Sequence, residues 1–261
     1  MTMDERAKFE AERRKVIAQY GTDDAFKSLS QEWLQQSMSR RYVYNFDWLG
    51  RPIIQYPQDM VAVQELIWRV RPDVVVETGI AHGGSLILSA SVLAMLDYDD
   101  AVSNGEALDP ATPKRTVVGV DIDIRAHNRD AIESHCMASR IRMVEGSSIE
   151  PETIAAVKAH IPKGSKVLAF LDSMHTHDHV IAELNAYGTL VTPGSYCVVF
   201  DTFVENMPEA FFEDRPWDVG NNPMTAVRAF LKGTDDFVVD NAMDEKLQVS
   251  VAPNGFLLRV K

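Results

Sequence analysis

The sequence predicts an α/β protein built on an open, mostly parallel sheet, on three observations. Apolar, largely β-branched runs recur at the length of buried strands: Val74-Val75-Val76, Thr116-Val117-Val118 and Cys197-Val198-Val199. Such continuous runs suit strands covered on both faces. Helically spaced segments fall between them, so strand and helix alternate as in a βαβ series. The first strand ends in Glu77-Thr78-Gly79-Ile80-Ala81-His82-Gly83-Gly84-Ser85, which leads into the helical run Leu86 to Leu96. Glycines there allow a sharp turn and the close approach of a ligand, and ligands of open α/β sheets bind beyond the carboxyl ends of the strands. The spacing is not the G-x-G-x-x-G fingerprint, and no G-x-x-x-x-G-K-[ST] loop occurs, which argues against NAD and ATP.

With 261 residues, 46% of them hydrophobic, the chain can bury one sizeable domain and still form a cap. We divide it into an N-terminal helical and aromatic cap, residues 1–57, and a catalytic domain, residues 58–261. A net charge of −12 would repel a phosphate backbone, and no basic stripe interleaves with aromatics, so nucleic acid is not expected as a partner. Cys136 and Cys197 each fall in an apolar stretch and read as buried free thiols, which fits a reducing compartment. No apolar run approaches a membrane span and the first residues are charged, so a cytoplasmic protein without a membrane partner is expected.

In chain order, residues 4–20 are rich in Glu, Lys, Arg and Ala and predict a helix, and Phe26 to Met38 predicts a second. The stretch Tyr42 to Pro52 is aromatic and turn-rich and reads as a loop packed over the cap or at a subunit interface. A helix over Met60 to Val70 stops at Arg71-Pro72. Asp99 to Lys114 reads as a surface loop. The second strand ends in Asp121-Ile122-Asp123, where an acid commonly accepts from ribose hydroxyls. A helix from Ala126 to Ala138 precedes the strand and turn Ile141 to Ser148. Further helices and strands follow over Pro151–His160, Lys166–Leu171, Asp178–Tyr187 and Ser195–Phe200. Asn222-Pro223 opens a last helix. Leu247 to Val251 and Phe256 to Val260 flank Pro253-Asn254-Gly255, a hairpin signal.

Four motifs in this order, Glu77-Thr78-Gly79 with Gly83-Gly84-Ser85, Gly119-Val120-Asp121-Ile122-Asp123, Leu171-Asp172-Ser173-Met174-His175-Thr176-His177-Asp178-His179 and Tyr196 to Thr202, resemble the cephalosporin hydroxylase family. That family is similar to sugar and macrolide-sugar O-methyltransferases, and the likeness covers roughly Trp48 to Val260. It implies a Rossmann-like class I methyltransferase fold that uses S-adenosylmethionine (SAM), with an antiparallel C-terminal hairpin and, here, an N-terminal helical extension. By the same resemblance Gly79, Gly83, Gly84 and Ser85 would face the methionine part of SAM, and Glu77, at the end of the first strand, would belong to the cofactor site. Asp121 would hold the ribose hydroxyls, and Gly146 with Ser147 would lie along the adenine. Asp172 would stand at the cofactor and, with Asp201, hold Mg²⁺. His175, three residues after Asp172, would be the general base, since imidazole titrates near neutrality. The chain departs from the family at Phe200, where related members often carry a second acid, so Thr202, water or substrate would have to complete the metal shell.

The acceptor would be a small-molecule hydroxyl, on a sugar or glycoside, and the aromatic segment with the extra helices would favour a homo-oligomer. The twenty residues between Asp201 and Asn222, among them Phe203, Phe211, Phe212 and Trp217, are long for a connection and would form a lid. Three alternatives stay open: a zinc site from His175, His177 and His179, set against the divergent directions of alternating residues in a turn; a hydroxylase, which would need another iron-ligand arrangement; and a catalytically silent SAM-binding accessory protein.

Overall fold

The computed structural model describes residues 3–261. Two helices, α1 (Met3–Tyr20) and α2 (Asp24–Ser39), come first. The side chain of Asp23 caps α2 by accepting from the Phe26 N–H, the geometry that makes Asp a preferred helix start. The aromatic stretch is a 3₁₀ turn over Tyr42–Asn45 followed by a two-stranded ribbon, β1 (Phe46–Trp48) and β2 (Arg51–Ile53). It is therefore more ordered than the expected loop.

The catalytic part contains α3 (Pro57–Val70), β3 (Val74–Thr78), α4 (Gly84–Asn104), β4 (Thr116–Asp121), α5 (Ala126–Glu133), β5 (Ile141–Glu145), α6 (Pro151–Ala159), β6 (Val167–Leu171), α7 (His177–Tyr187), β7 (Tyr196–Val199), α8 (Pro223–Lys232), β8 (Phe237–Val239), α9 (Asn241–Leu247) and β9 (Phe256–Arg259). Seven strands form one sheet in the order β5-β4-β3-β6-β7-β9-β8. The first five run parallel, and β9 lies antiparallel between β7 and β8. This is the expected mostly parallel sheet with antiparallel strands at its C-terminal edge. Every residue of β3, β6 and β7 is buried, as their unbroken apolar runs require of strands packed on both faces.

Three details differ from the sequence reading. α4 runs on to Asn104, so the surface loop is shorter than Asp99 to Lys114. Leu247 to Val251 forms no strand: β9 pairs with β8 across α9, and no tight hairpin turns at Asn254-Gly255. The cause is Asp59 on α3, a fully buried carboxylate that accepts from the Ser250 hydroxyl at 2.6 Å and the Val251 N–H at 3.0 Å. The second of those bonds occupies a backbone N–H that a strand ladder would have used, and the first anchors the segment to α3. Finally, α5 stops at Glu133, which leaves Cys136 exposed in the following turn, while Cys197 is buried as expected.

Among the described residues no helix is long and apolar enough to cross a membrane. The N-terminal segment instead lies across the carboxyl edge of the sheet. Gln31 donates to the carbonyl of Asn206, Ser37 bonds the Tyr56 hydroxyl, and Arg51 donates to the carbonyl of His82 and to Asn128.

Candidate active site

The glycine-rich turn after β3 is shaped by steric necessity. Gly79 has φ +89°, and a Cβ there would stand 2.0 Å from the carbonyl oxygen of Asp172. Gly84 lies against β2, where a Cβ would meet the Pro52 carbonyl oxygen at 2.2 Å. Ala81 has φ +45°, a conformation that costs a residue with a Cβ on the order of 1 kcal/mol or more and needs support. Asp121 supplies it: Oδ2 accepts from the N–H groups of Ile80 and Ala81 at 2.8 and 3.1 Å, and Oδ1 accepts from Asp123 N–H.

A cavity of about 640 Å³ opens over this turn. Gly79, Ile80, Ala81, His82, Gly84 and Ser85 form one side, and Asp172, Ser173, His175 and Asp201 form its floor. Its far wall comes from the N-terminal segment, including Met38, Arg41 and Tyr44, and from the 203–217 connection, including Phe211, Phe212 and Trp217. Asp121 lines an adjoining cavity of about 370 Å³ with Asp123, Arg125 and Asn128, and the two cavities share Ala81 and His82. Gly146 and Ser147 line neither cavity; Gly146 donates to the Asp121 carbonyl and packs on Thr153.

Asp172 follows the last residue of β6 and Asp201 comes two residues after β7, neighbouring parallel strands, so both acids project from the same edge. Asp201 has φ +56°, a left-handed conformation Asp tolerates better than most side chains. His175 Nε2 lies 2.9 Å from Asp201 Oδ2. The ligand atoms of Asp172, His175 and Asp201 all lie within 4.8 Å of one another. Burial opposes charge on the imidazole, but the carboxylate of Asp201 outweighs it and raises His175 to about 8. Burial, and then repulsion from Asp201, hold Asp172 well above the usual carboxylate range. The Trp217 ring meets the imidazole edge-on at 4.7 Å between centroids.

The donor set fits a divalent cation. Two carboxylates offer hard oxygens of the kind Mg²⁺ takes while keeping waters, and the imidazole adds a nitrogen suited to transition ions. His177 and His179 take no part in it. His177 Nδ1 bonds the Thr225 hydroxyl, and His179 Nε2 bonds Ser148 and Ser173, so the three histidines diverge and no three-histidine zinc site forms. The Thr202 hydroxyl donates a hydrogen bond to the Pro253 carbonyl. Phe200 packs on Phe170 in the core, ring centroids 6.0 Å apart.

Glu77 does not line the large cavity. It is buried beneath the turn, and burial raises it to about 7. A small void of about 20 Å³ adjoins it, walled also by Gln55, Ser89 and Asp172. Gln55 escaped the sequence reading. Its amide donates to Asp172 Oδ2 at 3.2 Å, and nothing in a lone Gln before a helix announces such a role. Arg41, Tyr44 and Arg215 were missed for the same reason.

A family model described as rhamnosyl O-methyltransferase/CmcI matches residues 40–260. A rhamnosyl O-methyltransferase of Mycobacterium bovis (strain BCG / Pasteur 1173P2) is 28% identical over 209 residues, 77% of this chain and 73% of that protein. The protein of the same description from Mycobacterium leprae (strain TN) is 28% identical over 216 residues, 81% and 82% of the two chains. Among solved structures, an apo form of CmcI superposes with a TM-score of 0.53 at 18% identity, covering 84% of this chain and 77% of that one. CalS11, a TDP-rhamnose 3'-O-methyltransferase of calicheamicin biosynthesis, gives 0.50 at 17% identity, covering 91% and 94%. At these identities the two structures speak to the fold.

Proposed function

The chain belongs to the rhamnosyl O-methyltransferase/CmcI family of SAM-dependent O-methyltransferases, and on that premise we propose that it methylates a hydroxyl of a sugar, free or glycosidically linked, with His175 as general base. The observation that carries this reading is the Asp172, His175 and Asp201 cluster on the floor of a cavity whose side is the glycine-rich turn. Methyl transfer needs an oxygen that loses its proton near neutral pH while aligned with the donor methyl.

When bound, SAM would supply the methyl group from its sulfonium sulfur and leave as S-adenosylhomocysteine, and the turn Gly79 to Ser85 would hold it. A divalent cation, Mg²⁺ in this reading, would be held by Asp172 and Asp201 and would lower the pKa of the acceptor hydroxyl. The protein's own groups do the rest. His175 would take the hydroxyl proton at Nε2, the nitrogen that here donates to Asp201 and that must first give up its own proton, as it would when a cation takes over the Asp201 carboxylate. Trp217 keeps the imidazole plane in place, and Gln55 holds one oxygen of Asp172. Phe211, Phe212 and Trp217 offer the apolar faces that sugar rings pack against and exclude water from the floor.

The roles assigned by resemblance to Glu77, Gly79, Gly83, Ser85, Asp121, Gly146, Ser147 and Asp172 remain part of this proposal. Asp121 is supported by its place on the wall of the adjoining cavity, next to the shared residues Ala81 and His82. For Glu77, Gly146 and Ser147 the support is proximity behind the turn rather than a place on a cavity wall. Residues 1–57 act as a cap, supported by their contribution of Met38, Arg41 and Tyr44 to the far wall. Self-association in the cytoplasm also belongs to the reading. Its support is an exposed apolar strip on α3 and α4, Val61, Trp68, Met95, Tyr98 and Val102, which a second copy would cover.

The test is a mass-spectrometric screen of sugar and glycoside acceptors with SAM, with and without EDTA. Methylated product that requires metal supports the full reading. Product that survives EDTA but vanishes in His175→Ala would leave His175 acting through a hydrogen bond alone. SAM binding without product across all acceptors would favour an accessory protein.

A further inference from the structure

The chain carries 38 acidic and 26 basic residues, and Arg41 and Arg215 are both exposed. Arg71, Arg115, Arg140 and Arg228 each pair with at least one carboxylate. Two arginines on the wall of the large cavity do not. Among the described residues the guanidiniums of Arg41 and Arg215 have neither a hydrogen bond nor an ion pair, although Arg215 directly follows Glu213 and Asp214. Each lies instead over an aromatic face, Arg41 at 4.7 Å from the Tyr44 centroid and Arg215 at 5.4 Å from that of Trp217. Stacking of this kind fixes the guanidinium plane and leaves its edge N–H groups free, the arrangement that meets a planar or tetrahedral oxyanion in two parallel bonds.

Their position fits the acceptor end of the cavity. Trp217, under Arg215, is the ring that meets His175 edge-on, so this guanidinium is two ring contacts from the proposed base. Arg41 is held at the end of α2 in a left-handed conformation, φ +57°. The carboxylates of the same cavity do not compete for them, because Asp201 is engaged by His175 and Asp172 by Gln55. The hydroxyls of a neutral glycoside could accept from these guanidiniums but bring no countercharge, whereas a phosphoester supplies both acceptors and charge. The geometry points to an acceptor sugar that carries a phosphate or diphosphate ester, gripped by Arg41 and Arg215 while a ring hydroxyl reaches His175. This deepens the sugar O-methyltransferase reading and rests on it. The phosphoester could belong to a nucleoside diphosphate sugar or to a lipid-linked sugar phosphate.

The experiment compares four acceptors at saturating SAM: dTDP-rhamnose, polyprenyl-phosphate rhamnose, rhamnose 1-phosphate and methyl rhamnoside. Titration calorimetry with dTDP alone accompanies it. We expect the phosphorylated acceptors to exceed methyl rhamnoside in kcat/KM by about 10- to 100-fold, the scale of one or two charge-assisted bonds. Arg41→Ala and Arg215→Ala should each remove most of that advantage and weaken dTDP binding, with the KM for SAM unchanged. The ranking of the first two acceptors identifies the source of the phosphoester. Equal turnover of methyl rhamnoside would overturn the inference and leave the methyltransferase reading standing, as would arginine variants that raise the KM for SAM instead. If no acceptor is methylated, that reading fails, and the dTDP titration still decides: no binding, or binding unchanged in both variants, overturns the anion site.

Discussion

His175 and Asp201 form a 2.9 Å ion pair inside the cavity where a divalent cation would be expected. The imidazolium and the cation are therefore competitors for the same carboxylate. Since the pair raises His175 to about 8 from an ordinary value near 6.5, its stabilising contribution is complete below about pH 6.5 and is lost as pH rises through about 8. In metal-free protein, the His175 ring resonances should titrate near 8. In Asp201→Ala burial is left as the larger influence, and the titration should fall below its wild-type midpoint. An unchanged midpoint would show that Asp201 does not set it.

His175→Ala removes the proposed base. Loss of a positioned base costs about 10²–10⁴-fold in rate, so kcat should drop on that scale, and the dissociation constant for SAM should stay where it was. Full activity in this variant would end the assignment.

Asp201→Ala should abolish stimulation by Mg²⁺, and excess ion should not restore the rate. Thr202 is no substitute ligand, because its buried hydroxyl lies off the cavity wall and is held on the Pro253 carbonyl. Titration of Mg²⁺ or Mn²⁺ into the variant should show no specific heat. Retained one-to-one binding would move the ion elsewhere.

Asp121→Ala should weaken SAM by more than lost ribose bonds alone. A bond to a charged acceptor is worth about 1.5–3 kcal/mol, and the variant also frees two N–H groups of a strained turn. Calorimetry should give a weaker constant, and hydrogen exchange at Ile80 and Ala81 should quicken even without ligand. Exchange left as slow as in the parent would contradict the bracing role.

Burial raises Asp59 to about 7, against the opposing bonds from Ser250 and Val251. The folded protein then holds a proton that the unfolded chain releases between about pH 4 and 7, so stability falls as pH rises through that window, by at most about 1.4 kcal/mol per pH unit. Asp59→Asn should flatten this part of the profile and gain relative to the parent at pH 8. Thermal melts from pH 5 to 8 decide it, and parallel profiles would refute it.

The apolar runs at Val74, Thr116 and Cys197 made the parallel sheet legible, because a strand buried on both faces can tolerate little else. Asp172 and Asp201 were legible because strand ends in such a sheet converge, and His175 was legible through the family resemblance, three residues after Asp172. Gln55, Arg41 and Arg215 were not. They meet the site through chain packing across long separations, and their neighbours in sequence carry no motif. The strand expected over Leu247 to Val251 failed for a related reason: a side chain nearly two hundred residues away, Asp59, takes a backbone bond that local propensity would assign to a ladder.

Arg51 clamps the outside of the glycine-rich turn, donating to the His82 carbonyl and to Asn128, whose amide in turn donates to the Ala81 carbonyl. It stands on the ribbon that continues into Ile53, Ile54 and Gln55 of the large cavity's wall. One mechanical linkage therefore joins the surface meant for the methyl donor to the surface meant for its recipient. Where donor binding shifts that turn, it changes the recipient's affinity, and thermodynamic reciprocity requires the recipient to change donor affinity by the same factor. The two ligands are then partners in a single equilibrium.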